Sequence, residues 1–172
     1  MGEFKEHIKE GIGTYRWSDG TVYKGEFKNN QMNGVGVIKY IDDSVYEGEI
    51  SNGVMNGFGK FIWKESNNNY KCYFGYYKNG KKDGFGIYYL PDKRFFVGFW
   101  KEGKQNGVGK YIKGNTVKYG LWEDGKRDKW FDNEDEFQNN LETKDEKFFF
   151  IFQWNIDKLK KYMELDDNNE EN

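Results

Sequence analysis

In "VYKGEFK", residues 22–28, apolar and polar positions alternate, so that Tyr23, Gly25 and Phe27 share one face of a predicted strand and Lys24 and Glu26 take the other. "NNQMNG" follows, in which Asn33-Gly34 reads as a corner because both residue types tolerate positive φ. "GVIKYI" then resumes the alternation, with Ile38 and Tyr40 on one face. The pattern recurs along the chain. One glycine column, Gly2, Gly25, Gly48, Gly75, Gly98 and Gly120, steps by 23, 23, 27, 23 and 22 residues, and a second, Gly11, Gly34, Gly57, Gly84 and Gly107, steps by 23, 23, 27 and 23. The long step is an Asn-rich insertion in "KESNNNYKC", residues 64–72. Each unit therefore predicts a β-hairpin, and successive hairpins predict one mainly β, single-layer antiparallel meander, a solenoid of rungs from Met1 to Trp130.

Glycine in a strand centre normally weakens it. Here several of these glycines, such as Gly25, Gly75 and Gly98, lie between two aromatics on the same face, and the missing Cβ leaves a seat in which a ring from a neighbouring strand lies flat on the backbone. The rings so placed are Tyr23, Phe27, Tyr46, Tyr73, Tyr77, Phe96, Trp100 and Trp122 on first strands, with Tyr15, Trp17, Tyr40, Phe61, Trp63, Tyr88 and Tyr111 on second strands. Core packing is the simplest role for this stack, and a groove for an extended or helical peptide is the functional alternative.

The opposite face changes character along the array. Early rungs show Lys24, Glu26, Lys39, Glu47 and Glu49, whereas later ones show Phe74, Tyr76, Ile87, Tyr89, Val97, Phe99, Tyr119 and Leu121. An apolar patch of that size needs a cover. The sequence offers one in "KFFFIFQWNIDKLKKYMEL", where Phe149, Phe152, Ile156, Leu159 and Met163 recur at helical spacing. The chain thus divides into a repeat array at 1–130, an acidic linker at 131–145, and at 146–172 a C-terminal amphipathic helix with an acidic end, expected to pack on the apolar half of the sheet or to meet a partner helix there.

Charge supports that division. Residues 1–130 carry 22 Lys+Arg against 16 Asp+Glu, net +6, and residues 131–172 carry 5 against 13, net −8, so tail and array attract. Aromatics make up 20% of the chain and supply most of its burial, with 22 glycines and a single proline. A single cysteine excludes an internal disulfide framework. No apolar run reaches the roughly 20 residues that span a bilayer, and no signal-peptide pattern opens the chain, so a cytoplasmic protein is expected.

No catalytic constellation emerges. The single histidine, His7, and Cys72 lie about three rungs apart, on the order of 30 Å at two strands per rung, too far for a dyad or shared metal site. No phosphate-binding glycine motif occurs, and the run "DNEDEFQNNLE" lacks the spacing of a calcium loop. No enzyme activity, cofactor, metal or small-molecule substrate is expected. The lysines are spread over all rungs without a basic stripe, which argues against nucleic acid.

The segments "YKGEFKNNQMNGVG", "YEGEISNGVMNGFG", "YFGYYKNGKKDGFG" and "FVGFWKEGKQNGVG" resemble the MORN (membrane occupation and recognition nexus) repeat, Y-x-G-E-W-x-x-G-x-x-x-G-x-G. The first rung starts in mid-repeat and the last, "GKRDKWF", loses its second glycines, which marks both as caps. Bacterial choline-binding modules have similar repeats but pair tryptophan with adjacent tyrosines to cage a cation, a pairing this array lacks. The resemblance implies a non-catalytic scaffold or adaptor that docks a partner protein, peptide or helix on its sheet, in a cytoskeletal, ciliary or membrane-edge assembly. The alternative is a peripheral module with weak affinity for anionic lipid. If the ring face is a peptide groove, basic rim residues Lys78, Lys81, Lys82, Arg94, Lys101 and Lys104 would steer an acidic partner.

Overall fold

The computed structural model describes residues 8–65, 69–141, 159 and 161, together with the backbone of residues 2–5. Twelve strands pair in chain order into one antiparallel sheet. They are β1 (Gly2–Lys5), β2 (Ile8–Arg16), β3 (Val22–Lys28), β4 (Gln31–Lys39), β5 (Val45–Ser51), β6 (Val54–Lys64), β7 (Tyr70–Lys78), β8 (Lys81–Tyr89), β9 (Arg94–Lys101), β10 (Lys104–Lys113), β11 (Thr116–Glu123) and β12 (Lys126–Trp130). A short helix, α1 (Glu134–Asn139), follows. The single-layer meander that the repeats predict is the fold.

A row of facing glycines crosses the sheet: Gly2, Gly13, Gly25, Gly36, Gly48, Gly59, Gly75, Gly86, Gly98, Gly109 and Gly120 pair in succession, and Trp130 ends the row opposite Gly120. Half of this row is the first column seen in the sequence. Its other half is Gly13, Gly36, Gly59, Gly86 and Gly109, two residues beyond the second column. On this row the seated ring comes from the same strand as the first glycine of a pair, two residues earlier. A Cβ on Gly59 would lie 2.5 Å from Tyr46 Oη, and one on Gly75 would lie 2.7 Å from Tyr73 Oη. The hydroxyls of Tyr23, Tyr46 and Tyr73 then donate to the carbonyls of Glu26, Glu49 and Tyr76 at 2.7, 2.7 and 3.1 Å. The ring is thereby fixed at its edge as well as on its face.

The hairpin corners lie earlier than Asn33-Gly34 and its equivalents suggest. Positive φ at both central residues marks type I′ turns at Asn29-Asn30 (49° and 66°), Asn52-Gly53 (49° and 81°) and Asn79-Gly80 (49° and 77°). Gly34 and Gly57 instead sit in bulges, at φ 76° and 109°, where β4 and β6 run past Glu26 and Glu49. Each carboxylate fills its bulge: Val35 N–H donates to Glu26 Oε1 at 3.0 Å and Phe58 N–H to Glu49 Oε1 at 2.8 Å. In later rungs Tyr76 and Phe99 take the place of the glutamates, against Gly84 and Gly107. The Asn-Gly signal was therefore real as a demand for positive φ, and the structure meets it inside a strand.

Two apolar clusters form, one on each face. The ring face gathers Tyr23, Phe27, Ile38, Tyr46, Ile50, Phe61, Tyr73, Tyr77, Phe96, Trp100 and Trp122. The opposite face gathers Cys72, Phe85, Ile87, Tyr89, Phe95, Val97, Val108 and Ile112 with Phe131, Phe137 and Leu159 from the C-terminal part. Helix α1 arises within the segment read as an acidic linker. Asn133 caps it by accepting from Glu136 N–H at 2.9 Å, and Glu134, Asp135 and Glu136 occupy the first turn, where carboxylates suit the helix dipole. Its buried Phe137 lies 4.6 Å from the Tyr119 ring.

Candidate functional site

All eight sequence candidates for the groove, Tyr23, Phe27, Tyr46, Tyr73, Tyr77, Phe96, Trp100 and Trp122, meet in the ring-face cluster. Tyr23, Tyr46, Tyr73 and Phe96 are fully buried and the other four nearly so, which makes them the floor of the face. Burial raises the hydroxyl pKa of Tyr23 to about 12 and raises those of Tyr46, Tyr73 and Tyr77 as well, so these groups stay neutral. The half-buried layer above comprises Trp17, Met32, Tyr40, Met55, Trp63, Tyr88, Tyr111 and Trp130. A docking segment would touch this layer. Met32 and Met55 were not singled out by sequence, because a methionine at a strand start carries no pattern signal of its own.

On the ring face, side chains from opposite ends of neighbouring strands come close to each other across a groove. Lys82, at the start of β8, shows how close they come. Its Nζ lies 5.1 Å from the Trp63 ring at the far end of β6, 5.1 Å from Tyr73, 4.2 Å from Tyr88 and 4.6 Å from Trp100. These four rings come from three rungs and surround the ammonium without any pairing of adjacent tryptophan and tyrosine. Among the described residues no carboxylate pairs with Lys82. The side chain therefore bridges the groove at the fourth rung as an ammonium held by ring faces.

Burial pushes the Lys82 pKa down to about 8, with the Lys71 charge adding to the effect. The unfolded chain keeps its proton up to the ordinary lysine value near 10.5. Between pH 8 and 10.5 the unfolded state thus binds more protons, and stability should rise with pH across that window. Carbon-13 NMR titration of the Lys82 Cε signal is expected to show a midpoint near 8, and Lys82→Met should remove this part of the pH dependence.

The groove is open on the N-terminal side of that bridge. A cavity of about 370 Å³ is lined, among the described residues, by Trp17, Tyr40 and Ile38, by Met32 and Met55, by the turns at Gly53 and Gly80, and by Asp19, the one charged residue of that set. The rim is less basic than its lysine count suggests. Lys81 pairs with Glu102 and Lys104 with Asp124, each at 2.6 Å, and Arg94 pairs with Asp92.

On the opposite face the predicted set also comes together. Ile87, Tyr89 and Val97 are buried in the cluster, with Phe74, Tyr76, Phe99, Tyr119 and Leu121 packed against it. Along equivalent positions exposure falls from Ile12 (65%) and Val35 (57%) to Phe85 (4%) and Val108 (5%). Leu159, described as helical, is fully buried in this cluster, while Lys161 is exposed. The other members of the tail stripe, Phe149, Phe152, Ile156 and Met163, lie outside the described residues, as does His7. Lys110 is buried beside Glu134 of α1, and desolvation lowers its pKa to about 8 against the pull of that carboxylate. Cys72 is fully buried and its thiol is pushed up to about 12, which makes it a small core residue.

Among the described residues no group of three or more His, Cys, Asp or Glu is placed to hold a metal ion, and no helix is long and apolar enough to cross a membrane. A family model described as the MORN repeat matches residues 1–22, 23–45, 46–67, 73–93 and 96–116. No curated protein matches the chain.

Proposed function

The chain belongs to the MORN repeat family, whose repeats bind proteins or membranes, and on that premise we propose that it is a non-catalytic adaptor whose ring face docks a segment of a partner protein. The observation that carries this reading is the open groove over the second and third rungs, walled by Trp17, Tyr40, Met32 and Met55. Half-buried aromatic and thioether groups around a cavity suit a protein segment, since rings bring large contact areas at little entropic cost and methionine adapts its shape. The opposite face is in part taken by the chain itself, with Phe131, Phe137 and Leu159 in its core. The C-terminal segment 146–163 as a whole is proposed to complete that cover. A cytoskeletal, ciliary or membrane-edge assembly is the setting proposed for the adaptor.

The test is affinity capture of the tagged full-length chain from its native cells beside a Trp17→Ala variant, with flotation on anionic liposomes in parallel. A stoichiometric partner retained by the wild type and lost by the variant supports docking on the ring face. Flotation that falls with salt, with no partner retained, favours the lipid-binding module instead.

A further inference from the structure

The residue four positions before the glycine of each second strand begins the wall of the groove. In successive rungs it is Lys9, Met32, Met55, Lys82 and Gln105. Where it is lysine, the array places an ammonium on its own rings: Lys82 in the four-ring cage, and Lys9 3.8 Å from the Tyr15 ring centroid. Where it is methionine, no cation is supplied. The rings equivalent to the Lys82 cage in the third rung, Tyr40, Tyr46, Phe61 and Tyr77, are nonetheless assembled, with centroids 5.5 Å apart for Tyr40 and Phe61, 6.2 Å for Tyr46 and Phe61 and 5.5 Å for Tyr46 and Tyr77. The cavity adjoins this set through Tyr40 and Met55.

Two further features bias the cavity toward positive charge. Asp19 lies on its lining, and among the described residues no lysine or arginine does. The Asp42 carboxylate is near enough to Tyr40 to raise that hydroxyl's pKa further after desolvation has done so. Aromatic faces beside a carboxylate attract a cation through both the ring quadrupole and simple charge.

We infer that the open groove over the second and third rungs takes a basic side chain of the docked partner, a guanidinium or ammonium laid on Trp17 and Tyr40 beside Asp19. This rests on the reading of the ring face as the docking surface and names the chemistry of the segment it holds. Lys82 marks the end of the free groove, because it already fills the homologous cage.

The test uses the full-length chain with carbon-13-labelled methionine methyl groups, titrated with n-butylguanidinium, n-butylammonium and, as a neutral control of similar length, n-pentanol. The cations are expected to shift the Met32 and Met55 methyl signals saturably and to bind at least about threefold more tightly than pentanol, the lower range of a ring–cation contact. Asp19→Asn, a change at an exposed side chain, is expected to weaken the cations about two- to fivefold and leave pentanol unchanged. Pentanol binding as tightly as the cations, or methionine signals unmoved by any of the three, would overturn the inference. A captured partner that is lost by Trp17→Ala but held unchanged by Asp19→Asn also overturns it, while leaving docking on the ring face intact.

Discussion

Gly59→Ala is expected to lower the stability of the folded chain by about 3 kcal/mol, the upper range for forcing extra volume into a packed core. Alanine ordinarily suits a strand better than glycine, and Gly59 has no left-handed backbone to forbid it. Space is what decides. The new Cβ would lie 2.5 Å from Tyr46 Oη, 2.7 Å from Cε2 and 2.8 Å from Cζ. That ring is fully buried and anchored by its hydrogen bond to the Glu49 carbonyl, so it cannot yield without leaving its seat. Gly53 provides the contrast: nothing lies within 4 Å of a Cβ there, so Gly53→Ala meets only the strain of φ 81°, on the order of 1 kcal/mol. Urea unfolding distinguishes the two cases. A double-mutant cycle with Tyr46→Ala should show a coupling of about 2 kcal/mol, because removing the ring removes the clash. Strict additivity would mean that the glycine row is not a seat for the rings.

A chain ending at Trp130 is expected to lose about 5 kcal/mol or more and to bind an apolar fluorescent dye. Phe131, Phe137 and Leu159 are each buried in the opposite-face cluster, and full burial of such side chains stabilises by roughly 1.5–3 kcal/mol apiece. Their removal also uncovers Phe85, Ile87, Phe95, Val97, Val108 and Ile112, a contiguous apolar surface that promotes association. Phe137→Ala is the milder version, since it deletes only the ring against Tyr119. Unchanged dye binding and an unchanged melt in the shortened chain would show that the C-terminal part does not cover the sheet.

The sequence made the meander legible because each rung repeats a period-2 alternation at a fixed spacing, and the two faces could be assigned residue by residue. The ring-face candidates gather in one cluster and the later-rung candidates of the opposite face in or against the other. The turns were misplaced because Asn-Gly signals a positive φ without saying whether a corner or a bulge will use it. At Gly34 and Gly57 the answer depends on the Glu26 and Glu49 carboxylates, which come from the neighbouring strand. Helix α1 escaped notice because its anchors are single residues: Asn133 at the cap and Phe137 on the face. Of the groove's walls the aromatic residues Trp17, Tyr40, Trp63, Tyr88 and Tyr111 were legible, but Met32, Met55 and the bridging position of Lys82 were not. Lys82 reads in sequence as a basic rim residue beside a turn, whereas the structure lays it on four rings contributed by β6, β7, β8 and β9, a convergence that no local pattern announces.

The Asn-rich insertion leaves the glycine row undisturbed. Gly59 still faces Gly75, and the added residues lengthen the two strands and not the connection: Trp63 and Lys64 of β6 pair with Lys71 and Tyr70 of β7, beyond the Ile62–Cys72 pair that corresponds to Lys39–Val45. The glycine row thus works as a ruler that fixes the alignment of each strand however far its hairpin arm extends beyond it. In evolutionary terms, that edge of the array can be lengthened and varied while the rungs on either side keep their fit. New recognition surfaces can arise there by insertion, without redesign of either face.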